Sequence, residues 1–157
     1  MPKITPFLWF DTQAEDAATF YVSIFKNAKI GQISRYGAGG PGPEGQAMTV
    51  TFELDGLHFT ALNGGPAYKL TEAFSLQVEC ADQAEIDRLW DQLTADGGES
   101  GRCGWLKDRF GLSWQIVPRN MGQLIGGADP AKSRRAVQAM LQMNKLDIAA
   151  LEAAREG

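Results

Sequence analysis

The strongest constraint on the fold is a pattern that the sequence repeats at a separation of 70 residues. An alternating aromatic run at residues 4–10 precedes the tetrad 12–15, and a similar run at 74–79 precedes the tetrad 82–85. Both tetrads have capping-box spacing, in which an N-cap Thr or Asp and a Glu three residues later bond to each other's backbone N–H groups. The apolar residues that follow recur at helical spacing, so each run predicts a strand followed by an amphipathic helix. The predicted buried faces are Ala17, Tyr21, Ile24 and Phe25 in the first helix and Ile86, Leu89, Trp90 and Leu93 in the second.

Strand patterns follow each predicted helix. The predicted strands are 29–36, 47–54 and 57–62 in the first half, and 101–106 and 112–117 in the second. Asp55 and Gly56 form a strong hairpin-turn signal. The glycine- and proline-rich segment 37–45 does not end in GK[ST] and precedes a strand, so it predicts a mobile hairpin connection rather than a phosphate site. Each half therefore indicates a module of strand, helix and three strands, or βαβββ.

The last part of the sequence has a different pattern. Asp129 followed by Pro130 predicts the start of a helix, and Asp147 predicts the start of another. The predicted buried positions are Val137, Met140, Leu141, Ile148 and Leu151. We expect an α+β fold in one domain over residues 1–157, a length typical of a single domain. It would contain modules at 3–66 and 72–119 and a helical tail at 120–157 that packs on its own domain or on a dimer partner.

Charge and composition exclude several classes of partner. The net charge is −4, and residues 79–99 hold seven acids and one base, which predicts a solvated helix face. Without a basic stripe the chain is poorly suited to nucleic acid. No apolar run reaches the length of a membrane span, and the start lacks the apolar core of a signal peptide, so we expect a cytoplasmic protein. We interpret Cys80 and Cys103 as reduced thiols, because two cysteines are too few for a disulfide framework.

Several stretches resemble one known family. They are TPFLWFD at 5–11, LNGGP at 62–66, CGWLKDRFG at 103–111 and SWQIVP at 113–118, and the resemblance extends from about residue 3 to residue 154. They are similar to the PhnB-like family of the glyoxalase/bleomycin-resistance/dioxygenase superfamily, or vicinal oxygen chelate fold. This family is often labelled 3-demethylubiquinone-9 3-methyltransferase. The resemblance implies two βαβββ modules that form a cup of curved sheet, a small organic ligand inside the cup, and a homodimer.

Metal-using members of that superfamily place one ligand on the first and last strand of each module. The repeat assigns these positions here to Thr5, Thr60, Ser75 and Gln115, through a shift of 70 residues for the first strands and 55 for the last. Neutral hydroxyls and an amide are poor ligands for zinc, nickel or iron. We therefore expect no metal at these positions and no cofactor. In the alternative reading the only histidine, His58, holds a metal with Glu53 or Glu79.

Strand alternation places one mixed face on each predicted sheet. The residues expected to line the ligand pocket are Thr5, Phe7, Trp9, Thr51, His58, Thr60, Ser75, Gln77, Trp105 and Gln115. Aromatic walls with a few polar groups are typical of a small-molecule site. We interpret the chain as a metal-free small-molecule-binding protein. Two alternatives are a pocket filled by side chains of the tail or a partner, and an enzyme: a metal-dependent isomerase, lyase or dioxygenase, or the methyltransferase of the family label.

Cys103 has two readings. Arg102 and Lys107 are close in sequence, and positive neighbours favour a reactive thiolate. No histidine other than His58 is available as its base, so we favour a half-buried structural cysteine. Asp108 and Gly111 are interpreted as residues of a hairpin turn.

Overall fold

The computed structural model describes residues 1–157, which form two compact units, Met1–Leu70 and Thr71–Gly157. The first unit contains β1 (Phe7–Phe10), α1 (Ala14–Ile24), β2 (Ala28–Arg35), β3 (Ala47–Leu54) and β4 (Leu57–Asn63). The second contains β5 (Ser75–Cys80), α2 (Gln83–Thr94), β6 (Glu99–Ser100), β7 (Trp105–Lys107) and β8 (Ser113–Pro118), followed by α3 (Met121–Ile125), α4 (Pro130–Met140) and α5 (Ile148–Glu156). The predicted α+β class, the two βαβββ modules and the helical tail are confirmed. None of the five helices combines the length and apolar character that a bilayer crossing needs.

Each unit contains one four-stranded mixed sheet. The strand order is β1-β4-β3-β2 in the first sheet and β5-β8-β7-β6 in the second. In both, the first strand of the module pairs in parallel with the last, and the remaining neighbours pair antiparallel. A parallel pair needs a crossover connection, and the first helix of each module lies within it.

The helices cover the apolar face of each sheet. α1 packs against β3 and β4, and α2 packs against β7 and β8. In the first unit Tyr21 and Phe52 are buried, and Phe52 stacks on Phe59 with ring centroids 5.2 Å apart. The predicted buried face of the second helix is confirmed in full, and that of the first except for Phe25, which is half-buried at the helix end.

The start of α1 differs from the prediction. The helix begins at Ala14 after Gln13, which makes no side-chain cap, so the predicted capping box at 12–15 is wrong. The Ala14 N–H instead donates to Oδ1 of Asn63, at 2.8 Å, from the end of β4. Asn63 is 2% exposed and also donates through Nδ2 to the carbonyl of Ala47, at 2.9 Å. The Tyr36 hydroxyl donates to the Asn63 carbonyl, so one residue joins the ends of α1, β2, β3 and β4.

The second module starts its helix locally. Asp82 Oδ1 accepts from the Glu85 N–H at 2.9 Å, which confirms the predicted Asp82 cap. The two modules differ here because Pro118 occupies the position of Asn63: Phe10 faces Asn63, and Cys80 faces Pro118. Proline has no side-chain amide, so the helix depends on its own N-cap residue.

The predicted strand at 101–106 is wrong over its first four residues. Cys103 and Gly104 have φ values of 59° and 86°, left-handed conformations that end a strand. The extended segment is instead Trp105–Lys107, and the third strand of the module is the short Glu99–Ser100. The turn that follows is built on buried Asp108. Its Oδ1 accepts from the N–H groups of Phe110 and Leu112, and its Oδ2 accepts from Nε1 of Trp114 at 2.8 Å.

The tail packs on its own unit. The predicted caps Asp129 and Asp147 are confirmed, whereas α3 was not predicted. Leu141 was predicted to be buried but is 49% exposed, because the helix ends at Met140 and Ala136 is the buried residue instead. The side chain of Arg155 donates to the carbonyls at the end of α3, at 2.7 and 2.8 Å.

Backbone and side-chain contacts attach this tail to the module. The Cys103 N–H donates to the Met143 carbonyl, at 2.9 Å. The side chain of Gln83 donates to the Leu146 carbonyl and accepts from the Ile148 N–H. A hydrogen bond from Lys145, joined by one from Gln83, holds the pKa of Asp87 below its ordinary value.

Replacing Asn63 is expected to destabilise the first unit. In Asn63→Ala, the Ala14 N–H and the Ala47 carbonyl lose buried partners, which should lower the free energy of unfolding by about 2–4 kcal/mol. Urea denaturation measures this change. Asn27→Ala is the control, because its 3.4 Å bond to Asp55 is exposed. Equal stability of the two variants would contradict this role of Asn63.

Candidate functional site

Strand register confirms that the two shifts used to compare the modules are consistent. Phe7 faces Thr60 across β1 and β4, and Gln77 faces Gln115 across β5 and β8. A shift of 70 residues for the first strands and 55 for the last converts one pair into the other. Thr60 and Gln115 therefore occupy equivalent positions of the two sheets.

The face of the first sheet that α1 does not cover contains a groove of about 340 Å³. This first-sheet groove is lined by side chains of the N-terminal segment and of β2, β3 and β4, mainly Lys3, Thr5, Lys29, Thr51, His58 and Thr60. Its volume lies within the range of small-molecule sites. Four of the predicted pocket residues, Thr5, Thr51, His58 and Thr60, meet here.

The two threonines of the central strands have different roles. Thr51 Oγ1 accepts from the N–H of Gln32 at 2.7 Å, at a point where the pairing of β2 with β3 shifts its register. Gly31 lies in this irregularity, and a Cβ added there would be 2.3 Å from Thr51 Oγ1. Thr60 is 6% exposed, and its N–H donates to the Pro6 carbonyl. Thr51 therefore fixes the shape of the groove, whereas no backbone group of β2 engages the hydroxyl of Thr60.

Charged side chains form a row along one end of this groove. Lys29 faces Glu53, and Glu53 faces His58, across β2, β3 and β4. Lys29 Nζ lies 3.2 Å from Glu53 Oε2. Glu79, the other acid considered as a partner for His58, lies on β5 in the second unit. No three His, Cys, Asp or Glu side chains come together in an arrangement suited to a metal ion.

Phe7 and Trp9 do not line the groove. Phe7 is 60% exposed. Trp9 Nε1 donates to the Gly65 carbonyl at 2.9 Å, and its ring contacts Tyr68 edge-on with centroids 5.0 Å apart. A Cβ at Gly64 would be 2.4 Å from the indole, so the LNGGP stretch needs glycine there to pack against Trp9.

The second sheet places its predicted residues in one row. Gln77, Gln115 and Trp105 face one another across β5, β8 and β7. Gln115 Nε2 donates to Ser75 Oγ at 2.9 Å. The two positions equivalent to metal ligands in this sheet are therefore bonded to each other.

A smaller cleft of about 110 Å³ lies beside this row. This second-sheet cleft is lined by Trp105 together with Glu72, Glu99, Ser100, Lys107 and Ser113. The hydrogen bond between Lys107 and Glu72 lowers the pKa of Glu72 and raises that of Lys107. Ser113 is buried and its hydroxyl has no hydrogen-bond partner. Of these residues the sequence analysis selected only Trp105.

The sequence analysis also missed Lys3 and Lys29 as groove residues. Strand alternation was the available signal for Lys29, since it faces Glu53 on the mixed face. Lys3 precedes β1, where alternation gives no direction.

Both cysteines are free thiols, as predicted. Burial raises the pKa of Cys80 to about 12, which keeps this thiol protonated. Cys103 lies in the left-handed turn that contacts the tail. Its backbone thus has a structural role of the kind the sequence analysis favoured.

The four positions assigned to metal ligands carry a donor set that does not fit a transition metal. Thr5, Thr60, Ser75 and Gln115 offer three neutral hydroxyls and one amide, whereas zinc, nickel and iron prefer imidazole, carboxylate or thiolate. In the second sheet the amide and one hydroxyl already satisfy each other.

The shape of the groove is expected to depend on Gly31. In Gly31→Ala the new methyl group displaces Thr51 Oγ1 from the Gln32 N–H, and overpacking of this kind costs about 1–3 kcal/mol. Thermal or urea unfolding measures the loss. In Gly37→Ala the added Cβ meets nothing within 4 Å, so this variant should unfold like the parent chain. A parent-like Gly31→Ala protein would contradict the close approach of these two strands.

Comparison with known proteins agrees with this geometry. The family model for 3-demethylubiquinone-9 3-methyltransferase matches residues 2–117. No curated protein matches the chain. A PhnB protein of Bacillus cereus, described as a 3-demethylubiquinone-9 3-methyltransferase, is 36% identical with a TM-score of 0.69, and the alignment covers 74% of this chain and 99% of that one.

Two further structures are similar in fold. Protein PA1353 of Pseudomonas aeruginosa is 21% identical with a TM-score of 0.61, over 75% of this chain and 98% of that one. The fosfomycin resistance protein FosX of Listeria monocytogenes is 14% identical with a TM-score of 0.50, over 74% and 92%. The two βαβββ modules and these similarities place the chain in the vicinal oxygen chelate superfamily, and within it the chain belongs to the PhnB-like, 3-demethylubiquinone-9 3-methyltransferase family.

Proposed function

We propose that this chain binds a small organic molecule in the first-sheet groove, without a divalent metal at the four superfamily positions. The observation that carries the proposal is the groove itself, about 340 Å³ in volume, with the nearly buried Thr60 among its lining residues. A few oriented polar groups in a mainly apolar concavity are typical of such sites.

The donor set supports the metal-free part of the proposal. FosX is described in complex with Mn(II) and 1S,2S-dihydroxypropylphosphonic acid, so the same fold holds a metal in that protein. In this chain Ser75 and Gln115 bond to each other, and the alternative ligand Glu53 is paired with Lys29. Binding of a metal would have to break both contacts and replace them with weaker neutral ligands.

The family name refers to methyl transfer, and the local geometry favours binding instead. Nucleotide-containing cofactors are typically held where a glycine-rich turn opens a helix. The connections that open α1 and α2, residues 11–13 and 81–82, contain no glycine. The glycine-rich segment 37–45 joins β2 to β3.

The proposal includes a homodimer in the cytoplasm. β1 and β5 are edge strands of their sheets, and Ile4 and Phe7 expose apolar surface beside β1. Exposed edges with apolar neighbours are common sites of association.

Ligand binding can be tested by NMR titration of the ¹⁵N-labelled chain with benzamide, phenol and cyclohexanone. Molecules of this size bind preformed sites in the millimolar range, so about 10 mM of each is needed. At least one is expected to shift amide signals of residues 3–5, 29–32 and 51–60. Thr60→Val removes a polar group from the groove at nearly constant volume and should weaken that binding about fivefold.

Thr49→Val is the matched control, because Thr49 bonds to Ser34 and does not line the groove. An absence of localised shifts with all three compounds, or equal weakening in the two variants, would contradict binding in this groove. Native mass spectrometry of the freshly purified chain reports in parallel whether it carries a ligand and whether it is a dimer.

A further inference from the structure

We propose that the ligand of the first-sheet groove carries a carboxylate or a similar oxyanion, held by Lys3 and Lys29 together with the hydroxyls of Thr5 and Thr60. This inference rests on the proposed function and adds the chemical class of the ligand.

The charges of the groove support an anion. Lys3 and Lys29 are the two ammonium groups in its lining, and Glu53 is the one carboxylate. Glu53 Oε2 lies 3.2 Å from Lys29 Nζ, so the acid is already neutralised and one positive charge is in excess. This excess contrasts with the net charge of −4 of the whole chain.

Hydrogen-bond donors supply the orientation. Thr60 is nearly buried and Thr5 half-buried, and both line the groove, where a hydroxyl can donate to an oxyanion. The neighbouring hydroxyl of Thr51 is engaged by Gln32. His58 lies at the end of the row next to Glu53 and adds a ring N–H to the same lining.

The second-sheet cleft has the opposite balance. Its lining contains Glu72 and Glu99 against Lys107 alone, and Lys107 is bound to Glu72. One negative charge is in excess there, and the volume is about 110 Å³. An anionic ligand is therefore expected to select the first-sheet groove.

Benzoate and benzamide provide a matched test, because they have nearly the same shape and differ in charge. In low salt the parent chain is expected to bind benzoate about fivefold more tightly than benzamide, in line with one exposed ion pair. The preference should shrink in high salt, since exposed lysines are screened. NMR titration measures both affinities and locates both molecules.

Variants assign the preference to the lysines. Lys3→Gln and Lys29→Gln should each reduce it, and Lys29→Gln more strongly, because it also leaves Glu53 without its partner. Glu53→Gln should increase it. Lys26→Gln is the control, since Lys26 is exposed and lies outside the groove.

The outcomes separate this inference from the function on which it rests. Equal binding of benzoate and benzamide in the groove would overturn the anion assignment and leave small-molecule binding intact. A benzoate preference that Lys26→Gln removes as effectively as Lys3→Gln would also overturn it. If neither compound reaches the groove, both proposals fail together.

Discussion

The parallel pairing between the first and last strand of each module is the constraint on which the rest of this structure depends. It brings Phe7 beside Thr60 and Gln77 beside Gln115, residues that are far apart in the sequence. Because side chains alternate along a strand, this register also decides which residues face the helix and which form the open, mixed face. A slip of one residue would bury Thr60 under α1 and expose Phe59 or Ala61 instead.

Buried polar side chains fix the ends of these strands. Asn63 bonds to the start of α1 and to β3, and Asp108 holds the turn before β8 through Phe110, Leu112 and Trp114. These two residues explain why the LNGGP and CGWLKDRFG stretches are distinctive. Their side chains satisfy backbone groups that would otherwise be buried without partners, which is costly. The stretches that identify the family are thus mainly devices of folding.

Local signals in the sequence were sufficient for much of the fold. Alternation predicted β3 with its observed bounds, and Asp82, Asp129 and Asp147 cap helices as their spacing indicated. The start of α1 could not be found this way, because its partner Asn63 is 49 residues away. The turn at Cys103 was also missed, since Gly104 is the only local sign of a left-handed backbone in a stretch with strand-like residues.

The candidate site was predictable where it follows strand alternation and less so elsewhere. Thr51, His58 and Thr60 line the groove as expected, because their strands are regular. Trp9 lies on the same face but is held by Gly65 and Tyr68, contacts that alternation does not describe.

Small-molecule binding without a divalent metal is tested most directly by elemental analysis of the chain purified without chelators, together with its Thr60→Ala and His58→Ala variants. Zinc, nickel, iron and manganese should each be far below one atom per chain in all three proteins. A stoichiometric metal in the parent chain that is lost on replacing Thr60 or His58 would contradict a metal-free site.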